Sequence, residues 1–386
     1  MGLESRYYCR RNINVPRSCG DLSSDYKIDT MSIPQQHTVY RLNKVGSFRD
    51  LEAHREPIPK LASNQVLIQT KSVTLNYRDY IIANGKYGKK LGDLKGRVPC
   101  SDAAGIVVAV GDDVTNVSVG DHVVTNFSPN HLYGPYNREQ HVDLGGEVDG
   151  TLREYVPISS EAVTKIRKDS PLSWAEKASL VCTGVTVWNA LYGCKQLRPG
   201  QSVLILGTGG VSLTALAIAK AAGAQTIITS SSDEKLAKIK DHYNPDHTIN
   251  YAKNPSWGAT VAEITGGGVD FVIENGGPGT LFQSITAAAP GGVISLIGVN
   301  AIKAEQQLAA YYLNIMFKGL IVRGIVVGSH ELSEQLIKFV DSKDLRIHVD
   351  HQYNFHDGGV FKAFEKLESK EHVGKIAINF GPQTRL

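Results

Sequence analysis

Residues 201–240 read QSVLILGTGG VSLTALAIAK AAGAQTIITS SSDEKLAKIK, and the architecture follows from this stretch. Val203, Leu204, Ile205 and Leu206 form a short apolar run with neither a helical face nor polar alternation, as expected of a parallel strand buried on both sides. Gly207, Gly209 and Gly210 interrupt it, and Ser212 to Ala222 then predict a helix stopped by Gly223. A strand, a glycine turn and a helix make a phosphate site. Gly207 permits the tight turn, Gly209 lets a pyrophosphate approach the backbone, and the free N–H groups at the helix start attract its charge. The third glycine of the usual fingerprint is Ser212 here, still small enough for close helix–strand packing.

A second β-rich run, Gln225 to Ser230, follows at the spacing where a dinucleotide-binding unit reads the adenosine ribose. An NAD site usually offers a carboxylate there, whereas this chain offers Thr229, Ser230, Ser231 and Ser232. Hydroxyls tolerate a phosphate that a carboxylate would repel, and Lys235 stands a few residues on to supply positive charge. The nucleotide is therefore read as NADPH. Ser230 to Ser232 serve equally well as a cap for a helix starting near Asp233.

The chain has 386 residues, enough for two domains. Its 41 basic and 38 acidic residues nearly cancel, which gives no electrostatic case for nucleic acid or a membrane surface and points to a small ligand. No apolar run reaches the length of a membrane span, and no signal peptide is evident at the start. Five scattered cysteines without paired metal spacing suggest a reducing compartment and no structural disulfide. A cytoplasmic location is expected, with a mitochondrial presequence the alternative raised by Arg6, Arg10, Arg11 and Arg17. Met31 offers a second possible start.

The expected division is a flexible extension over 1–36, the first part of a catalytic barrel-like domain over 37–164, a nucleotide-binding domain over 165–328, and the catalytic domain's return over 329–386. Within the barrel, short β-branched runs such as Gln65 to Lys71, Gly105 to Val110 and Asp121 to Thr125 imply antiparallel strands. The polar and aromatic connection from Asn126 to Gly150, with His131, Tyr133, Tyr136 and His141, reads either as a functional loop or as a solvated excursion. Pro171 to Gly193 predict one or two helices capped by Ser173 or Asp169. Strands at Thr248 to Tyr251, Val269 to Glu274 and Gly292 to Gly298 alternate with helices, hence an open parallel sheet. Leu320 to Val327 read as a last buried strand, followed by a helix near Gly359 to Leu367 and a strand Lys375 to Phe380.

From about Thr38 to Phe380 the chain resembles the medium-chain dehydrogenase/reductases, and within them the zinc-free quinone oxidoreductase and enoyl reductase branch. The matching text is Leu75-Asn76-Tyr77-Arg78-Asp79, Asn84-Gly85-Lys86-Tyr87, Ser101-Asp102-Ala103-Ala104-Gly105, Val119-Gly120-Asp121, Gly150-Thr151-Leu152-Arg153-Glu154-Tyr155 and Gly207-Thr208-Gly209-Gly210-Val211. The resemblance implies a Rossmann-type doubly wound α/β domain beside a GroES-like, mostly antiparallel β-barrel catalytic domain, and a homodimer. It places Thr186 near the nicotinamide, Tyr77 near the pyrophosphate, and Tyr251 with Ser230 and Lys235 at the ribose phosphate. Asn275, Gly276, Ile297, Gly298, Val299, Val327 and Gly328 would hold the nicotinamide ribose and carboxamide. Lys375 stands where the family often has a basic residue near the phosphates. Strand-end packing explains the glycine and apolar members of this set at the same time.

Catalytic zinc needs three ligands from Cys, His and acidic groups. Where zinc alcohol dehydrogenases have their first two, this chain resembles them at Asn76 and Ser101, and only Cys182 matches. No metal is expected. Without a Lewis acid, reduction of an already polarised acceptor is the better reading. By family position, Tyr87 would donate a hydrogen bond or proton to the enolate formed when hydride adds to an enone, with solvent the other proton source, and Asn76 would add an amide N–H. Tyr87 reads equally as a turn aromatic, and Asn76 with Asp79 as a tie from a loop to its backbone. The expected substrate is small, apolar and conjugated to a carbonyl. A quinone or ketone reductase, and a nucleotide-binding protein without turnover, are the competing readings. Tyr311, Tyr312 and Ile315 read either as an apolar pocket lining or as the core face of a helix.

Overall fold

The computed structural model describes residues 33–87, 91–138, 141–298 and 308–381, so residues 1–32 of the expected extension and Val299 lie outside the described residues. One sheet has six parallel strands in the spatial order His247–Asn250, Gln225–Ser230, Ser202–Leu206, Val269–Glu274, Ala288–Leu296 and Ile321–Gly324. Counted from Ser202–Leu206 the order is 3-2-1-4-5-6, the doubly wound arrangement whose direction reverses between the first and fourth strands. In sheets of this order a ligand crevice is expected at the carboxyl ends of those two strands.

Packing explains why the central strands carry unbroken apolar runs. Val203 and Ile205 enter the core shared with the helices Val185–Tyr192, Gly210–Ala221 and His330–Lys343. Leu204 and Leu206 point to the opposite face, into a core with Val261, Ile285 and Trp257. Because side chains alternate along a strand and both faces are covered, every position of Ser202–Leu206 is buried.

The second sheet is mostly antiparallel. Its long central strand, Gln65–Leu75, pairs with Asp102–Val110, Tyr155–Ser159 and Lys375–Asn379. Gly105 is required where two strands approach closely, since a Cβ there would lie 2.2 Å from the Gln69 carbonyl oxygen. Lys375–Asn379 returns from the far end of the chain and is flanked by Val349–Asn354 in parallel. The fold class is thus the expected one: a doubly wound α/β sheet with a second, largely antiparallel β domain.

Two expectations need correction. Leu320 to Val327 is not a buried strand: only Ile321–Gly324 pairs, at the sheet edge, and Ile321 is 38% exposed because it has a neighbour on one side only. The helix His330–Lys343 was not anticipated, although Leu336, Ile337 and Val340 have helical spacing and Ser329 accepts from Leu332 N–H as its N-cap. The segment Pro171 to Gly193 is capped by Ser173, in a box with Glu176, and continues through a widened turn at Leu180–Gly184 into Val185–Tyr192.

His37, on the first strand Gln36–Leu42, is 1% exposed, and its Nδ1 accepts from Tyr155 N–H at 3.2 Å. Burial first, then Arg153, lowers its pKa from 6.5 to about 4. The unfolded chain therefore binds this proton more readily, so the stability that neutral His37 contributes is present above pH 6.5 and is lost as pH falls towards 4. Of the acid destabilisation between pH 7 and pH 4, about 3 kcal/mol should come from this one group. Urea titrations at both pH values check this: His37→Asn, which keeps an acceptor near Nδ1, should flatten the pH slope, and an unchanged slope would contradict it.

Candidate active site

The glycine turn has the conformation a phosphate needs. Gly207 has φ 77°, a region side chains disfavour, and Gly209 extends with φ −80° and ψ −175° into the helix Gly210–Ala221. A Cβ on Gly209 would meet nothing within 4 Å, so the backbone faces open space there. Ser212 does more than replace a glycine: its Oγ donates to the Leu206 carbonyl at 2.8 Å, and Asn275 Nδ2 donates to Leu206 O and Ser212 Oγ at 3.2 and 3.1 Å. These bonds tie the ends of the first and fourth strands beneath the turn. Gly210 is glycine for another reason, since a Cβ would lie 2.5 Å from Lys375 Cδ.

At the ribose end, Ser232 caps the helix Asp233–Tyr243 by accepting from Lys235 N–H, so the capping reading holds. Ser230 Oγ accepts from Ser232 N–H at 3.2 Å, and Tyr251 N–H donates to the Ser230 carbonyl at 3.0 Å. The Tyr251 ring is exposed. Lys235 Nζ donates to the Lys370 carbonyl at 3.1 Å, and Lys370 Nζ lies 5.5 Å from the ring centre of Tyr77. Two lysines from opposite domains, Tyr77 and Tyr251 thus lie around the expected ribose-phosphate side.

At the expected nicotinamide end, Thr186 is buried on the helix Val185–Tyr192. Gly328 packs on the same helix, where a Cβ would lie 2.8 Å from Val185 Cγ1. Ile297 packs against the core that also holds Val185 and Val327, and Val211 joins them. Gly298 and Gly276 each sit where a side chain would strike Asn275 O or Thr280 Oγ1. Val327 has φ 46°, a strained value for a β-branched residue, held by a 2.7 Å bond from Asn189 Nδ2 to its carbonyl.

The sequence placed Lys375 near the phosphates. Its stem does lie against the glycine turn, where Gly209 and Gly374 form a bridge. Its ammonium, however, is bound inside the β domain: Nζ donates to Asn76 Oδ1 at 2.7 Å, Leu75 O at 2.9 Å and Asp102 Oδ2 at 3.3 Å. Ser101 Oγ and Thr74 Oγ1 also donate to Asp102, at 2.7 and 3.1 Å. Cys182 lies on the widened turn, and burial, followed by Asp102, pushes its thiol up, so it stays protonated. The three positions compared with zinc ligands therefore carry a carboxamide whose oxygen is bound to an ammonium, a hydroxyl bound to Asp102 and one neutral thiol.

A second polar group was not singled out in the sequence. Arg78, partly buried and next but one to Asn76 in the chain, donates to the Leu144 carbonyl at 2.9 Å and faces Asp79 and Asp143, each at 3.5 Å. Its guanidinium carbon lies 4.6 Å from the Phe127 ring centre and 5.9 Å from that of Tyr87. His141 Nε2 is 2.6 Å from Asp143 Oδ1. Burial raises Asp79 to about 6 against the pull of Arg78. Tyr87 is 37% exposed, and burial raises its phenol further than Arg78 lowers it, so it remains a donor at neutral pH. The connection 126–150 is no solvated excursion at its ends, because Phe127, Ser128, His131, Asp143 and Leu144 are buried. Two adjacent charged residues opening a buried helix were the available signal for Arg78 and Asp79.

Tyr311 and Ile315 pack into the core beside Phe282 and Leu281, whereas Tyr312 is exposed, so the pocket-lining reading gives way to a helix face. A cleft of about 1230 Å³ is lined by Trp174, Tyr243, Arg346, His348 and Phe380 and has none of Asn76, Tyr87 or Gly209 in its lining.

Comparison with known proteins agrees with this arrangement. A family model described as "Alcohol dehydrogenase GroES-like domain" matches residues 62–168, and one described as "Zinc-binding dehydrogenase" matches residues 210–342. A zinc-type alcohol dehydrogenase-like protein of Schizosaccharomyces pombe is 40% identical over 342 residues, covering 87% of this chain and 97% of that protein. The crystal structure of a candidate alcohol dehydrogenase from Sinorhizobium meliloti superposes with a TM-score of 0.82 at 34% identity, covering 90% of this chain and 100% of that one. An NAD-dependent alcohol dehydrogenase structure gives 0.78 at 28% identity, covering 89% and 100%.

A side chain at Gly209 would leave the fold intact but fill the open space where a pyrophosphate is expected. Gly209→Val should keep its far-ultraviolet spectrum and melting temperature while losing NADPH binding by fluorescence titration; binding within threefold of the parent would contradict the assignment.

Proposed function

Because the chain belongs to the medium-chain dehydrogenase/reductase superfamily, and so is an oxidoreductase, we propose that it is an NADPH-dependent, zinc-independent reductase of a C=C bond conjugated to a carbonyl. The observation that carries this reading is the Asn76 amide: its oxygen is held by Lys375, while Nδ2 is buried without a partner among the described residues. Bound NADPH would supply a hydride to the substrate's β-carbon. The glycine turn N–H groups and Tyr77 would hold the pyrophosphate, and Ser230, Lys235 and Tyr251 the ribose phosphate. Thr186, Asn275, Gly276, Ile297, Gly298, Val327 and Gly328 would line the nicotinamide half. Val299, in the same expected set, lies outside the described residues.

Asn76 Nδ2 donates to the substrate oxygen as it gains enolate charge, and Tyr87 gives its phenolic proton to the α-carbon, with solvent as the competing donor. Zinc independence rests on the donor set, since an amide oxygen turned onto an ammonium and a hydroxyl turned onto a carboxylate leave one thiol. Reduction of a quinone or ketone carbonyl is the second reading, because the same two donors suit any carbonyl oxygen. The likeness to an NAD-dependent alcohol dehydrogenase keeps both that chemistry and the other nucleotide in the test. A nucleotide-binding protein without turnover is the third. A homodimer fits the exposed apolar side chains Tyr312, Met316 and Phe317 beside the free sheet edge at Ile321.

NADPH oxidation against enones, quinones and saturated ketones, with products identified by mass, should give saturated C=C products. Tyr87→Phe should lower kcat at least about tenfold, general acids contributing on the order of a hundredfold or more, and 1,10-phenanthroline should leave turnover unchanged. Alcohol or hydroquinone products, preference for NADH, or activity restored by zinc would each overturn the corresponding part. Light scattering should give twice the chain mass of 41.9 kDa, and a monomeric mass would contradict the dimer.

A further inference from the structure

We propose that Lys375 is a positioning residue that makes Asn76 a donor-only group, so that the site takes a hydrogen-bond-accepting oxygen at Asn76 Nδ2. The inference rests on the reading of Asn76 given above and adds the group that enforces it.

The argument is a count of donors and acceptors. An ammonium has three protons and accepts nothing. All three protons of Lys375 are engaged, by Leu75 O, Asn76 Oδ1 and Asp102 Oδ2, and the residue is 3% exposed. Lys375 therefore has no proton left for a substrate or a nucleotide phosphate. The Asn76 amide cannot be turned over, because that would set its NH₂ against the ammonium, donor on donor. Its backbone is fixed as well: Asn76 N–H donates to Asp79 Oδ2 at 2.8 Å. What remains is Nδ2, buried and without a partner among the described residues. A buried amide donor left unpaired is destabilising, so the arrangement is explained when an accepting atom comes to it.

Asp102 completes the device from behind. Two hydroxyls, Ser101 Oγ and Thr74 Oγ1, donate to it, and the side chain is fully buried. Asp102 thus holds the ammonium where it meets Asn76, and it touches neither Tyr87 nor the glycine turn through any of these bonds. The Lys375 stem crosses Gly210, so the position of the ammonium is also set by the nucleotide side of the molecule.

Removal of Lys375 alone would leave Asp102 charged, buried and unpaired, which is strongly destabilising, so the test uses the neutral pair Lys375→Met with Asp102→Asn. Four proteins are compared: the parent, Asn76→Ala, the neutral pair, and the pair combined with Asn76→Ala. Folding is checked by circular dichroism, NADPH dissociation by fluorescence, and kcat at saturating NADPH with whichever acceptor turns over fastest. The neutral pair should bind NADPH within threefold of the parent and lose kcat at least about tenfold, less than the hundredfold or more that loss of an entire oxyanion donor costs. In the Asn76→Ala background the pair should change kcat by less than twofold. An equal loss in both backgrounds overturns the proposal, as does weakened NADPH binding with kcat unchanged, which would make Lys375 a nucleotide ligand. If Asn76→Ala leaves kcat at the parent value, Asn76 is no donor and the proposal falls. Because kcat is read on any acceptor, failure with enones alone rejects the C=C assignment and leaves the coupling between Lys375 and Asn76 to be judged separately.

Discussion

A single buried ammonium joins the two halves of this molecule. Lys375 arrives on a strand from the end of the chain, passes its stem over Gly210 at the glycine turn, and delivers its charge to Asp102 and Asn76 in the β domain. Burying such a charge costs several kcal/mol, which an ion pair offsets only when the remaining protons are also bonded. Here they are, by the Leu75 carbonyl and the Asn76 amide. The glycine turn is therefore constrained twice over: Gly209 is bare towards open space, and Gly210 is bare towards Lys375.

The same bond gives the site its chemical character. An amide held by its oxygen offers only hydrogens, and the Tyr87 phenol, kept protonated by burial, offers another. Arg78 stands between Tyr87 and Asp143, with Phe127 beneath it, and its charge is paired with Asp79 and Asp143. Hydrogen-bond donors favour a substrate oxygen that becomes more negative during reaction. The donor set suits reduction of a polarised acceptor better than removal of a proton from an alcohol.

Much of the fold could be read from the sequence because its signals are local. The run Val203 to Leu206, the glycines after it and the helix that follows lie within 20 residues, and their period and turn chemistry are visible without any distant contact. The edge strand at Ile321 was misread because apolar composition does not reveal how many neighbours a strand has. The bonds of the Lys375 ammonium were not legible for a similar reason: its partners Asn76 and Asp102 are 299 and 273 residues away, and no sequence period links them. Arg78 and Asp143, 65 residues apart, meet only because the connection 126–150 folds back onto the helix after Asn76. A long loop in sequence does not say which way it turns.

The most direct test of the central claim follows the hydride itself. The protein would be given NADPH deuterated at the transferable C4 position and a conjugated enone, and the product analysed by nuclear magnetic resonance and mass. The account predicts one deuterium on the β-carbon of a saturated ketone. Deuterium on the carbonyl carbon of an alcohol, or none in any product, would contradict it.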